Sequence, residues 1–260
     1  MATPSLRIIG VIPARLGSQR LPRKVLREIQ GKILVEHVYH HAAESPLLKE
    51  LWVATDSREV YDACKKKDIP VLMTSEKHPS GTDRIYEVMT QRPGDIYVNI
   101  QGDEPLVRKE HLEALLRPFS SEKGVRVSTL KTKISREAAQ TPNVVKVATD
   151  PAGWALYFSR SVIPFDREGQ SPFPVYKHLG FYAFTAEALE KFHRLPPSPL
   201  EQTEKLEQLR FLENQIPIFV AETPFDTVGV DTEEDLQRVS GLLAGETNSR
   251  KTLPAKTSQD

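Results

Sequence analysis

Short apolar runs closed by turn residues alternate along the chain with stretches in which apolar positions recur at helical spacing. Runs of the first kind have the two-residue period of strands, or the continuous apolarity of strands buried on both faces; the second kind are amphipathic helices. The pattern predicts strands over 7–12, 51–55, 71–73, 96–100, 125–130, 144–149, 154–159, 178–184 and 218–220. It predicts helices over 33–43, 57–67, 82–91, 109–116, 186–192, 203–214 and 233–242. Strands alternating with crossover helices imply an α/β fold, layered around a mainly parallel sheet. Residues 131–182 break the alternation and carry several prolines, so a small lobe is expected there, at one side of a single domain over 1–243. Over 244–260 the chain turns polar and loses apolar periodicity, which predicts a disordered tail.

Composition narrows the function classes. With 39% hydrophobic and 27% charged residues the chain can bury a sizeable core. Its 35 basic and 35 acidic residues cancel, so no global positive field exists to hold nucleic acid, and an anion site has to come from local clustering. The single cysteine, Cys64, cannot form an intramolecular disulfide, and its place on the inner side of the 57–67 helix reads as core rather than nucleophile. The apolar run Ile8-Ile9-Gly10-Val11-Ile12 is too short to span a bilayer and lacks a signal-peptide pattern, so a cytoplasmic protein without membrane insertion is expected.

Local clustering appears just past the first strand. Ala14-Arg15-Leu16-Gly17-Ser18-Gln19-Arg20-Leu21-Pro22-Arg23-Lys24 joins small residues, whose amides can approach phosphate oxygens, to cations that can grip them. Its glycine spacing is that of neither a Walker loop nor a dinucleotide fingerprint. A solvated basic loop has the same composition; position favours a triphosphate, because ligands of open α/β sheets bind beyond the carboxyl ends of the strands. The 96–100 strand delivers Asp103 just past its end, where a magnesium ion could use one carboxylate, a distant partner and substrate phosphates. Asp103 equally suits a turn before Pro105. Asp231 is the candidate partner, although with Glu234 it also reads as a capping box opening the last helix.

Further on, strand periodicity puts His178, Gly180 and Tyr182 on one face, which could line a sugar pocket, and Leu179, Phe181 and Ala183 on the other. Arg160 could fork onto a sugar carboxylate, or be a surface arginine. On the 203–214 helix, Leu206 and Leu209 face inward, while Glu204, Glu207 and Gln208 share a neighbouring face whose default is solvent.

Together these blocks resemble the 3-deoxy-D-manno-octulosonate (Kdo) cytidylyltransferases, over nearly the full length. The resemblance rests on Ile12-Pro13-Ala14-Arg15 with Ser18 and Arg20-Leu21-Pro22, Ala54-Thr55-Asp56, Ser80-Gly81-Thr82-Asp83-Arg84, and Asn99-Ile100-Gln101-Gly102-Asp103-Glu104-Pro105. Tyr157-Phe158-Ser159-Arg160-Ser161, Lys177-His178-Leu179-Gly180-Phe181-Tyr182, Leu206-Glu207-Gln208-Leu209-Arg210 and Val228-Gly229-Val230-Asp231-Thr232 complete it. One departure stands out: after Leu-Pro the family commonly has glycine, lysine and proline, whereas here Arg23-Lys24-Val25 follow.

The resemblance implies a nucleotide-diphospho-sugar transferase fold, a homodimer, and a cytoplasmic reaction of CTP with Kdo that gives CMP-Kdo and pyrophosphate for lipopolysaccharide synthesis. It assigns Ala14, Arg15, Ser18, Lys24 and Asp103 to CTP, with Ser80, Gly81, Thr82 and Arg84 near the cytidine. Asp103 and Asp231 would hold Mg2+, and Gln101, Arg160, His178, Tyr182, Glu207 and Gln208 would surround the sugar. Arg15, Lys24, Asp103 and Asp231 are then the catalytic set. A CMP-sialate synthetase, or another acidic-sugar cytidylyltransferase, would share the basic loop with a differently shaped sugar pocket. A nucleotide-binding regulator that has lost the chemistry is the alternative from another class.

Overall fold

The structure, a computed structural model, describes residues 6–17, 20–169 and 171–251. In chain order its strands are β1 (Ile8–Pro13), β2 (Glu28–Ile29), β3 (Lys32–Ile33), β4 (Glu50–Thr55), β5 (Val71–Met73), β6 (Ile96–Asn99), β7 (Val127–Ile134), β8 (Lys146–Thr149), β9 (Ala155–Ser159), β10 (Val175–Thr185) and β11 (Phe219–Glu222). The helices are α1 (Leu34–Ala43), α2 (Arg58–Lys66), α3 (Gly81–Gln91), α4 (Lys109–Leu116), α5 (Pro118–Ser121), α6 (Ala186–Arg194), α7 (Pro199–Glu204), α8 (Leu209–Glu213) and α9 (Glu233–Lys251).

Among the described residues nine strands share one sheet, ordered β11-β7-β10-β6-β1-β4-β5, with the β8-β9 hairpin joined to β10. β6, β1, β4 and β5 are parallel, and β10 runs antiparallel to both β6 and β7. β1 shows why its sequence is apolar throughout: Ile8 and Ile12 enter one core with Val35, Val38 and Val98, while Ile9 and Val11 enter the opposite core with Ile85, Val88 and Tyr97. A central parallel strand, covered by helices on both faces, has no solvent side on which polar residues would be tolerated. The 131–182 segment continues the sheet: β7 and β10 pair along its length, and the β8-β9 hairpin hangs from β10 through Lys177 and Lys146.

The feature that positions the site is the direct pairing of β1 with β6, which brings the carboxyl ends of both strands side by side. Gly102 lets the loop after β6 lie against the end of β1, since a Cβ there would stand 2.6 Å from the Pro13 carbonyl oxygen.

Two elements differ from the pattern. The 203–214 helix is broken into α7 and α8, with Lys205 in the left-handed region at φ 54°, so Glu207 and Gln208 stand in the turn between helices. The last helix does not stop near 242 but runs through Lys251, into the segment expected as a tail; residues 252–260 lie outside the described residues.

Candidate active site

The basic loop after β1 and the acidic loop after β6 face one another across a cleft of about 570 Å3, lined by Arg15, Arg20, Lys24, Gly81, Gln101, Asp103 and Asp231. Lys24 Nζ donates to Asp103 Oδ2 at 2.6 Å and to Asp231 Oδ1 at 2.9 Å, and Arg20 reaches Asp231 Oδ2 at 2.9 Å. Burial works against the Lys24 charge, but Asp103 and then Asp231 outweigh it and hold the ammonium above its ordinary range. Burial likewise pushes Asp231 up, and Lys24 with Arg20 overcomes it, so the carboxyl stays below its usual value. Asp231 is therefore anionic, and it converges with Asp103 on a single cationic centre, the Lys24 ammonium. Arg15 is held to the same cleft by donating to the His78 carbonyl at 3.1 Å.

Asp231 is free to face the cleft because the last helix is capped by its neighbour. Asp235 Oδ2 accepts from the Thr232 hydroxyl and from the Thr232 and Asp231 amides, each at 3.0 Å, and Thr232 Oγ1 accepts from Asp235 N. The box is thus Thr232 with Asp235, one residue later than Asp231 with Glu234. Val230 N donates to the Asp103 carbonyl at 2.9 Å and locks the two acidic segments together.

A second cavity, of about 220 Å3, adjoins the first through Gln101. Its walls include Thr82, Asn99, His178, Gly180, Tyr182, Glu207 and Gln208. As the alternation predicts, Leu179, Phe181 and Ala183 turn away into the core. Thr129 Oγ1, 2.7 Å from the Phe181 carbonyl and 2.9 Å from His178 Nε2, donates to the former and so accepts from the latter, which fixes the imidazole tautomer. Burial, with Lys177 adding to it, pushes the imidazolium down to about 3, so His178 is neutral at physiological pH. Burial, reinforced by Asp83, raises the Glu207 carboxyl to about 6.

Three buried polar atoms here lack a hydrogen-bond partner: Asn99 Oδ1, Tyr182 Oη and Gln208 Nε2. An unmet buried polar atom costs about 1–3 kcal/mol, and a cluster of them on one cavity is completed by ordered water or by a polar ligand that takes its place.

Other expected residues are placed differently. Ala14 is buried with its amide committed to the Ala54 carbonyl at 2.9 Å, so it shapes the loop and offers no N–H. Ser80 caps α3, accepting from Asp83 N at 3.2 Å and donating to Asp83 Oδ2 at 2.7 Å. Arg84 lines neither cavity; it is fully buried against Asp56 and Thr74. Arg160 also stands off the second cavity, because its guanidinium is spent on the carbonyls of Glu204, Pro142 and Lys205. Ser18 lies outside the described residues.

Asn99 and Glu104 stand in the 99–105 block of the sequence without a role assigned to either. Asn99 is the lone amide in an apolar strand, which is its signal. Glu104 packs against Gly180 and Gly229, and burial with the neighbouring Asp103 raises its carboxyl to about 7; nothing local announces that environment.

A family model described as cytidylyltransferase matches residues 9–220. The chain is 52% identical over 241 residues to a 3-deoxy-manno-octulosonate cytidylyltransferase of Koribacter versatilis, covering 93% of this chain and 92% of that protein. The protein of the same description from Acidobacterium capsulatum is 51% identical over 239 residues, covering 92% and 97%. Among solved structures, a CMP:2-keto-3-deoxy-manno-octonic acid synthetase complexed with CTP superposes with a TM-score of 0.88 at 42% identity, covering 92% of this chain and 99% of that one.

Proposed function

The chain belongs to the cytidylyltransferase family, and on that premise we propose that it joins Kdo to CMP at the expense of CTP, releasing pyrophosphate, as the activation step for lipopolysaccharide assembly. The observation that carries the reading is the convergence of Lys24, Asp103 and Asp231 at one cleft that opens, through Gln101, onto a cavity with unmet polar atoms. The cleft takes the triphosphate and the cavity takes the polyol.

In this reading the anomeric hydroxyl of the sugar attacks the α-phosphorus in line, and pyrophosphate leaves from the opposite side. Positioning and neutralisation of charge supply most of the catalysis in such a transfer. Arg15, Arg20 and Lys24 hold the triphosphate and stabilise the charge that builds on the leaving group. His178 and Gln208 orient the sugar, and Gln101 stands where the two substrates meet. The donor set fits magnesium: two carboxylates already share one cation, and a hard divalent ion needs little more from a protein beside substrate phosphates. Asp103 and Asp231 would hold it, and it would supply Lewis-acid polarisation of the phosphate and the attacking hydroxyl.

The same reading makes the protein a cytoplasmic homodimer. Among the described residues no helix is long and apolar enough to cross a membrane. Leu156, Phe165 and Phe173, exposed in the 131–182 segment, suit a surface covered by a second copy.

The test is pyrophosphate release from CTP with Kdo and with sialic acid in parallel, read together with the mass of the product. Turnover is expected with Kdo, and Asp103→Asn and Asp231→Asn are each expected to lower kcat/KM about a hundredfold or more. Preference for sialic acid, or CTP binding without turnover of either sugar, would replace the proposal with one of its alternatives.

A further inference from the structure

Asn99 ends β6, and its backbone is fixed on both sides, in register with Val11 of β1 and Tyr182 of β10. The side chain is only 4% exposed and borders the second cavity, beside Tyr182 and Gln208. Its Oδ1 has no hydrogen-bond partner. A core position that needed only shape would be filled by leucine, which has the same branching and no polar atom to leave unmet. The residue therefore suits a protein that holds a hydrogen-bond donor in that cavity.

The three unmet atoms complement one another chemically. Asn99 Oδ1 can only accept, Gln208 Nε2 can only donate, and the Tyr182 hydroxyl can do either. A ligand that satisfies such a set carries neighbouring groups that each donate and accept, as the hydroxyls of a polyhydroxylated acid do.

We propose that Asn99 is a specificity-determining residue of the sugar cavity, its side-chain carbonyl oxygen accepting a hydrogen bond from one sugar hydroxyl. The inference rests on the reading of the second cavity as the sugar site. It makes a prediction that a structural role does not: removing the amide leaves the empty protein at least as stable while weakening the sugar.

Asn99→Leu keeps the branching and removes the unmet oxygen. Its thermal midpoint without ligands is expected at or above that of the parent, its KM for Kdo raised about tenfold or more, and its KM for CTP unchanged within about twofold. A set of Kdo analogues, each lacking one hydroxyl, identifies the partner. One analogue should be penalised by the parent enzyme and not by Asn99→Leu, whereas the penalties of the others persist in both. Asn99→Ala serves as the second variant, with the same loss for the sugar and no dependence on fitting a branched side chain.

An unchanged KM for Kdo in both variants, a parallel rise in both KM values, or no analogue whose penalty disappears would each overturn the assignment. Failure of the parent enzyme to use Kdo at all would instead sink the proposed function, so the two outcomes are distinct.

Discussion

At the scale of single residues the site is a set of charges and amides held where solvent would ordinarily relax them. Glu207 is the clearest case. Its carboxyl titrates near 6 against an ordinary 4.5, so the folded chain keeps a proton that the unfolded chain releases between those values. The penalty is absent below pH 4.5, grows as pH rises to about 6 and is complete above it, at about 2 kcal/mol. Glu207→Gln removes it. The variant should melt about 5 °C above the parent at pH 8, a gap that closes by pH 4, while its sugar KM rises. Calorimetry at the two pH values checks this; a gap independent of pH would mean that burial does not raise this carboxyl. Arg84 and Arg160 show the opposite use of charge, spent inward on Asp56 and on backbone carbonyls. In a sequence they cannot be told from ligand-binding arginines, because the carboxylate that Arg84 meets lies 28 residues away and the carbonyls that Arg160 meets belong to the backbone of other segments.

At the scale of elements, turns decide which side chains reach the cleft. Arg23 adopts φ 57° and ψ 30°, left-handed geometry that favours glycine, immediately before Lys24. This supplies a physical reason for the glycine that the family commonly has there, and Arg23 is steadied in its place by an ion pair with Glu59. Arg23→Gly relieves backbone strain of about 1 kcal/mol and gives up an exposed ion pair worth less. The variant should melt at or above the parent temperature with CTP turnover retained; a large fall in turnover would show that the Glu59 contact, rather than the turn itself, aims Lys24. The regular elements were legible in the chain because apolar period and caps act locally: Ser57, Ser80 and Thr185 each cap the helix predicted after them. The break between α7 and α8 was not, because no glycine or proline marks Lys205. Its causes are tertiary: Glu204 is drawn to the Ser159 hydroxyl and the Arg160 amide, and Glu201 to Arg210. That break is what turns Glu207 and Gln208 from an expected solvent face into the wall of a cavity.

At the scale of the whole molecule, the cleft of Lys24, Asp103 and Asp231 stands on a core of its own, apart from the two that sandwich the sheet. Leu21 from the basic loop, Ile29 and Leu34 beyond it, Leu106 from the acidic loop, Val230 beside Asp231, and Leu236, Val239 and Leu243 of α9 form one apolar cluster. Arg27 to Glu233, and Gln30 to the Ser240 carbonyl, stitch its edge. Segments more than 200 residues apart in sequence thus meet under the cleft, and sequence patterning, which sees neighbours only, had no means of pairing them beyond the resemblance to a family. The second cavity is built instead on β6, β10 and the α7–α8 turn. Damage to the small cluster should therefore be felt by one substrate and not by the other. Leu236→Ala, at a position 7% exposed, should destabilise the protein by about 2–3 kcal/mol. It should also raise the KM for CTP several-fold while leaving that for Kdo near the parent value, because Asp231 and the basic loop lose their footing while Asn99, Tyr182 and Gln208 keep theirs. Steady-state kinetics with each substrate varied in turn, well below the melting temperature, checks this. Equal rises in both KM values would mean that the cleft and the cavity respond as one unit, and that the cluster beneath the cleft is continuous with the main core in its mechanics.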